Sequence, residues 1–211
     1  MRVQIVGPFV CSEKEEFAEE LAKKLNCKFV HIDSDKLIDQ KKFEKMTESG
    51  KNFLNFHELM FKRLEKMVKN LPDNVVVDLS PIDIWVMLLG NSQYVTTITK
   101  GFKDEDLEEL NKRLFIFDLK ITELSKTFTW SIHLPARKAF EQFDAPLEEC
   151  ALMANGYLAK AGLRALSVTR DRTPDPKPCV DPVIEEMEKF DLKQAEKELS
   201  RLRNEKITFI N

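Results

Sequence analysis

Along this chain the spacing of hydrophobic residues alternates between the two-residue period of strands and the three-to-four-residue period of helices. Arg2-Val3-Gln4-Ile5-Val6-Gly7 is a short β-rich run that ends in glycine and predicts a first strand. Behind it Phe17, Leu21 and Leu25 recur at helical spacing. Ser12 and Glu15 have capping-box spacing at the start of that helix, and Glu13, Glu15 and Glu16 suit the positive end of its dipole. Asn26 stops the helix and Cys27 to Ile32 predicts a second strand, so the first 32 residues have the length of a parallel βαβ unit. Asp33-Ser34-Asp35 closes that strand. A polar helical stretch follows and breaks near Ser49-Gly50. Phe53 to Lys69 then forms a stronger amphipathic helix, with Phe53, Phe56, Met60, Leu64 and Met67 on one stripe. After a turn at Leu71 to Asn74 comes Val75-Val76-Val77, an unbroken β-branched run that suits a central strand covered on both faces. Ser80 is placed to cap the next helix, with Pro81 at its first position.

The second half continues the alternation. Residues 90–101 are polar and Thr-rich and read as a loop; Asp104 to Ser125 reads as a helix, and Phe128 to Leu134 as a fourth strand. Leu147 to Ala161 is helical and ends at Gly162; Leu163 to Thr169 is a fifth strand. The proline-rich run Thr173 to Pro182 predicts a surface loop. A charged helix from Val183 to Arg203 precedes a last short strand, Ile207 to Ile210. Alternating strands and helices predict a three-layer α/β/α fold around a mostly parallel five-stranded sheet. Its 211 residues fit one domain, with a small lid at 135–146.

Composition narrows the class. Hydrophobic residues make up 43% of the chain, enough for a core without disulfide staples. Charge is abundant at 33% but balanced, with a net of −3, so there is no strong signal for a nucleic-acid partner. Cys11, Cys27, Cys150 and Cys179 form no CxxC pair, which argues for reduced thiols and a cytoplasmic location and against a zinc knuckle. The longest apolar stretch, Ile82 to Leu89, is too short to span a bilayer. His31 and His133 fall inside expected strands, as packed residues, without a carboxylate at metal-ligand spacing, so no resident metal is expected.

Three segments together resemble the nucleoside and nucleotide kinases of the P-loop superfamily: Val3 to Leu25, Asp33-Ser34-Asp35, and Val75 to Asp83. The last is similar to the Asp/Glu-Arg-Ser motif of deoxynucleoside kinases and the helix start that follows it. The resemblance implies a P-loop kinase-like fold, ATP and Mg²⁺ as cofactors, and a small nucleoside or nucleotide acceptor. It implies Gly7, Ser12 and Lys14 as phosphate-binding residues, Asp78 as general base, Asp35 as the group orienting the acceptor, and Arg137 and Lys138 as phosphate contacts from the lid. Asp33, Phe56 and Trp85 would line the acceptor pocket. The family also often forms dimers, so a homo-oligomer is expected.

The residues depart from this pattern. A P-loop converges backbone N–H groups on phosphates, reaches them with a lysine and ligates Mg²⁺ through a hydroxyl. In Gly7-Pro8-Phe9-Val10-Cys11-Ser12-Glu13-Lys14, Ser12 stands in place of the second glycine, Glu13 in place of the lysine and Lys14 in place of the hydroxyl. Shifting by one residue restores Lys14 as the lysine and puts Glu15 where the hydroxyl belongs. A carboxylate at about 4 Å from a triphosphate repels it by several kcal/mol at intermediate dielectric. Leu79 also replaces the arginine of the motif after Asp78. The plain alternatives are a βα turn with a good helix start at Gly7 to Lys14, and at Asp78 a carboxylate that only favours the helix from Pro81. Two further functions stay open beside a working phosphotransferase. One is a non-catalytic descendant (a pseudokinase) that binds nucleotides or partners, a viral nucleotide-metabolism or DNA-modification accessory among them. The other is a structural or assembly protein that presents its long charged helices.

Overall fold

The computed structural model describes residues 1–7, 12–46, 48–86, 104–134, 163–168 and 177–208, with side chains absent from the description at residues 12, 34, 104, 106–107 and 202–208. Its strands are β1 (Arg2–Val6), β2 (Lys28–Val30), β3 (Val75–Val77), β4 (Trp130–His133) and β5 (Ala165–Ser167). They form one sheet in the order β2-β3-β1-β4-β5, and every neighbouring pair is parallel. The expected architecture is therefore present. The helices are α1 (Ser12–Lys24), α2 (Ser34–Leu37), α3 (Gln40–Lys45), α4 (Gly50–Lys69), α5 (81–86), α6 (Asp104–Ser125) and α7 (Val180–Thr208), with a short 3-10 turn over Lys177–Cys179.

Period-two burial separates the two sides of the sheet. Val3, Ile5 and Val76 pack with Phe17, Ala18 and Leu21 of α1 and with Val183 and Met187 of α7. Val6, Val75 and Val77 face the other way, toward Phe53, Phe56, Met60 and Leu64 of α4 and Phe117 and Ile121 of α6. Each of these strand valines and isoleucines is fully buried, as the unbroken Val75-Val76-Val77 run requires. Burying one such side chain contributes about 1.5–3 kcal/mol, so the two cores outweigh any surface ion pair in holding the three layers together.

Local signals set the element ends. Asn26 takes φ 53°, the left-handed conformation that terminates α1, and Asn is one of the few residues to tolerate it. The Ser49 side chain accepts from the Asn52 N–H and caps α4, which begins at Gly50 where the helical pattern was expected to break. Ser80 Oγ accepts from the Asp83 N–H at 3.1 Å, with Pro81 in the first turn of α5 as expected.

Three expectations fail. The last strand, Ile207 to Ile210, is contradicted at its start, because α7 runs through Thr208. Once a helix of this length has nucleated, each further residue adds one hydrogen bond at little cost, and that outweighs the β preference of a single isoleucine. Pro182 lies in the first turn of α7 rather than in a surface loop, where its missing N–H is not needed. His31 follows β2 and stands exposed, whereas the sequence placed it packed inside a strand. The expected loop at 90–101 and helix at 147–161 lie outside the described residues. No helix among the described residues is long and apolar enough to cross a membrane.

Candidate functional site

The order β2-β3-β1-β4-β5 reverses direction at β1 and β3: the chain leaves β1 for the β2 edge, and leaves β3 for β4 on the opposite side. Open parallel sheets bind ligands outside the strand C-termini at such a reversal. Gly7 follows β1 there, and residues 78–83 follow β3. Lys14 approaches the same place from the first turn of α1.

Asp83 joins these pieces. Its Oδ1 accepts from the Gly7 N–H at 2.9 Å, and its Oδ2 accepts from the Ser80 N–H at 2.9 Å and from Lys14 Nζ at 2.6 Å. Both charged side chains are buried, Lys14 at 3% and Asp83 at 1% of side-chain exposure. Backbone N–H groups plus a lysine are the donors a P-loop offers to phosphate. Here a carboxylate of the chain itself takes the Gly7 N–H and the Lys14 ammonium.

The space around Gly7 is closed as well. A Cβ at Gly7 would lie 2.5 Å from the Leu134 carbonyl oxygen and 3.3 Å from Lys14 Cδ. The Leu134 N–H donates to the Val6 carbonyl, so Leu134 is tied to the interior of the sheet and its carbonyl oxygen cannot retreat alone. Gly7→Ala is expected to lower stability by about 1–3 kcal/mol through overpacking. Chemical denaturation of the variant checks this, and an unchanged midpoint would contradict the close approach. Beside this group lies His133, at the end of β4, with Nδ1 3.3 Å from Ser167 Oγ and a buried Nε2 that has no hydrogen-bond partner among the described residues. Burial pushes its pKa down; the Asp83 carboxylate opposes that push and the Lys14 ammonium adds to it.

A second group forms where β2 and β3 end. Asp78 is buried, its Oδ1 accepting from the Ile32 N–H at 2.9 Å and its Oδ2 lying 2.5 Å from His31 Nδ1. Glu15 Oε1 stands 4.0 Å from the same ring nitrogen. The hydrogen bond to Asp78 raises the His31 pKa, burial opposes it, and the charges of Asp78, Glu15 and Asp33 favour the protonated ring further. Next to this group an open groove of about 770 Å³ runs along the β2 edge, between α2 and the C-terminal half of α4. His31, Asp33, Asp35, Lys36, Arg63 and Lys66 are among its walls.

The structure thus brings Gly7, Lys14 and the Asp78 segment to one end of the sheet. Asp33 and Asp35 lie together at the mouth of the groove, with Asp33 Oδ1 accepting from the Asp35 N–H at 3.0 Å in the turn that opens α2. Phe56 is fully buried, its ring packed on Phe43 and His57, and it does not line that groove. Trp85 is half-buried against the α4 side of the core. Ser12 opens α1, but its side chain is outside those described; Arg137, Lys138 and the lid at 135–146 lie outside the described residues altogether. Sequence reasoning missed His31 and the part played by Asp83. The one signal for Asp83 was its place three residues after Ser80, which marks a helix start and says nothing about Lys14.

This parallel sheet order, with Gly7, the first turn of α1 and the end of β3 at one end of the sheet, matches the fold of the P-loop kinases. Solved structures agree. The chain superposes on a deoxyadenosine kinase from M. mycoides with the products dCMP and dCDP bound, at a TM-score of 0.60 and 14% identity, over 90% of this chain and 100% of that one. The same enzyme with bound dATP matches at a TM-score of 0.56 and 15% identity, over 89% of this chain and 100% of that one. NadR in complex with NAD and AMP-PNP matches at a TM-score of 0.54 and 16% identity, over 87% of this chain but 48% of NadR. No protein-family model and no curated protein sequence matches the chain.

Proposed function

We propose that this protein binds a nucleoside or nucleotide on the P-loop kinase fold without ordinary ATP-dependent phosphoryl transfer. The observation that carries the reading is Asp83, whose carboxylate takes the Gly7 N–H, the Ser80 N–H and the Lys14 ammonium. A triphosphate that used Lys14 would have to displace a buried, short ion pair and leave the carboxylate of Asp83 facing its own charge. At intermediate dielectric that repulsion alone is several kcal/mol at about 4 Å. Glu13 in the canonical lysine position and Leu79 in the arginine position act in the same direction. The groove beside Asp33 and Asp35 is large enough for a nucleoside, and Lys36, Arg63 and Lys66 offer cations to a phosphate on it. Two of these cations already have partners, Lys36 with Asp33 and Arg63 with Asp39, so a monophosphate would compete with weak surface pairs rather than a buried one. The kinase-fold neighbours were solved with nucleotides bound, which supports nucleotides as the class to test.

Titration calorimetry separates the alternatives. The expected result is no heat with millimolar ATP and Mg²⁺, and saturable binding of a nucleoside or nucleoside monophosphate that Arg63→Ala weakens. Transfer of radiolabelled phosphate from ATP to any nucleoside would overturn this reading in favour of a working phosphotransferase. One observation favours that second reading: Asp78 directly follows a central parallel strand, at the sheet end where a general base would be needed.

A further inference from the structure

We propose that Glu15, His31 and Asp78 form a binding site for a first-row divalent cation that fills without any nucleotide. Three separate elements deliver the ligands: the first turn of α1, the end of β2 and the end of β3. One carboxylate oxygen from each acid and one imidazole nitrogen lie within 4.8 Å of one another. An imidazole with two carboxylates is a donor set that suits Mn²⁺, Fe²⁺ or Zn²⁺.

The distances fit a site one small adjustment from closure. Around a cation with bonds of about 2.1 Å, tetrahedral ligand atoms stand about 3.4 Å apart. His31 Nδ1 is now 2.5 Å from Asp78 Oδ2 and 4.0 Å from Glu15 Oε1. A shift of the ring away from Asp78 and toward Glu15 evens the two separations. The ring and the Glu15 side chain are each about half exposed, at 49% and 51%, so both are free to turn. Asp78 is not, and that is useful: its second oxygen is fixed by the Ile32 N–H, the kind of outer contact that aims a metal-binding carboxylate. The exposed side of the cluster leaves coordination positions open to water or to a ligand arriving from the groove.

Charge gives the reason for a cation. With a neutral imidazole the cluster carries two negative charges, and the nearest lysine of α1's first turn is committed to Asp83. A dication pairs both carboxylates at once, where a proton on His31 satisfies one. In the sequence register that aligns Lys14 with a P-loop lysine, Glu15 stands where a P-loop carries its Mg²⁺-binding hydroxyl. A hydroxyl is a weak ligand that needs phosphate oxygens to complete the shell, whereas a carboxylate, an imidazole and a second carboxylate can hold a cation by themselves. The proposal is independent of whether the groove binds nucleotides.

Manganese tests it, because Mn²⁺ prefers oxygen and nitrogen ligands and avoids the cysteine thiols. Chelator-treated full-length protein is titrated with Mn²⁺ in the absence of nucleotide, and free Mn²⁺ is followed by its electron paramagnetic resonance signal. The expected result is one Mn²⁺ per chain, with affinity reduced about tenfold or more in Glu15→Gln and in His31→Gln. Both substitutions fall on half-exposed side chains, and a cooperative thermal unfolding transition without metal shows that the variants remain folded. The proposal is overturned by no binding at about 1 mM Mn²⁺, by binding that both variants leave intact, or by binding that appears only once ATP is added.

Discussion

Replacing Lys14 with methionine is expected to cost about 3–5 kcal/mol of folding stability, because it leaves the buried Asp83 carboxylate without its counter-charge. That is a large share of the 5–15 kcal/mol typical of a whole domain. Asp83→Ala should cost more. Lys14→Met leaves Asp83 with the Gly7 and Ser80 N–H groups still in place, whereas Asp83→Ala strands those two donors and a buried ammonium together. The Lys14→Met/Asp83→Asn double variant should be destabilised by less than the sum of its single variants, since the second change removes the charge the first one exposed. Urea denaturation of the wild type, Lys14→Met, Asp83→Asn and the double variant measures this cycle. If Lys14→Met unfolds at the wild-type urea concentration, the ion pair does not hold the loop and Lys14 is available to a phosphate after all. A protein that used this lysine on ATP would have to break the same contact in every turnover, so stability and function are tested by one set of variants.

How far the sequence carried this reading differs from element to element. Val75-Val76-Val77 was legible as a central strand because burial on both faces demands an unbroken apolar run, and the structure buries all three completely. Asn26 was legible as a helix stop because it acts within a few residues of itself, whereas Ser49-Gly50 read only as a break and the structure makes Ser49 the cap of α4. The Lys14–Asp83 pair was not, since its partners are 69 residues apart and meet only when β1 and β3 lie side by side in register. The loop sequence correctly showed that Lys14 is displaced from the usual lysine position; it held no sign that the displaced lysine already has a partner. His31 was misplaced for a related reason. The Cys27 to Ile32 run reads as a strand to its last residue, but pairing with β3 ends at Val30. One residue later the chain turns outward, and the ring reaches Asp78 from the solvent side. Phe56 belonged to a helical stripe that can serve a core or a pocket equally well, and packing against Phe43 and His57 put it in the core.

Acidification from pH 6.5 to pH 4 is expected to destabilise the protein by about 3 kcal/mol through His57 alone. The ring is buried in α4 between Phe53 and Phe56, with centroid distances of 4.3 and 5.0 Å, and its Nδ1–H donates to the Phe53 carbonyl at 2.8 Å. Burial pushes its pKa down to about 4, only partly opposed by that hydrogen bond. The sign follows from proton counting. Above pH 6.5 the ring is neutral in both states and contributes nothing. Between 6.5 and 4 the unfolded chain takes up a proton that the folded chain refuses, so stability falls as pH falls. His133, also pushed down by burial, adds to this loss. His31 does not offset this loss: its raised pKa contributes stability that is already full below 6.5 and fades only as pH rises through its folded value. His57→Leu isolates the main component, because leucine fills apolar space and does not titrate. Its urea midpoint should change less than that of the wild type between pH 6.5 and 4, and equal slopes for the two proteins would mean that His57 is charged, or solvated, in the folded core.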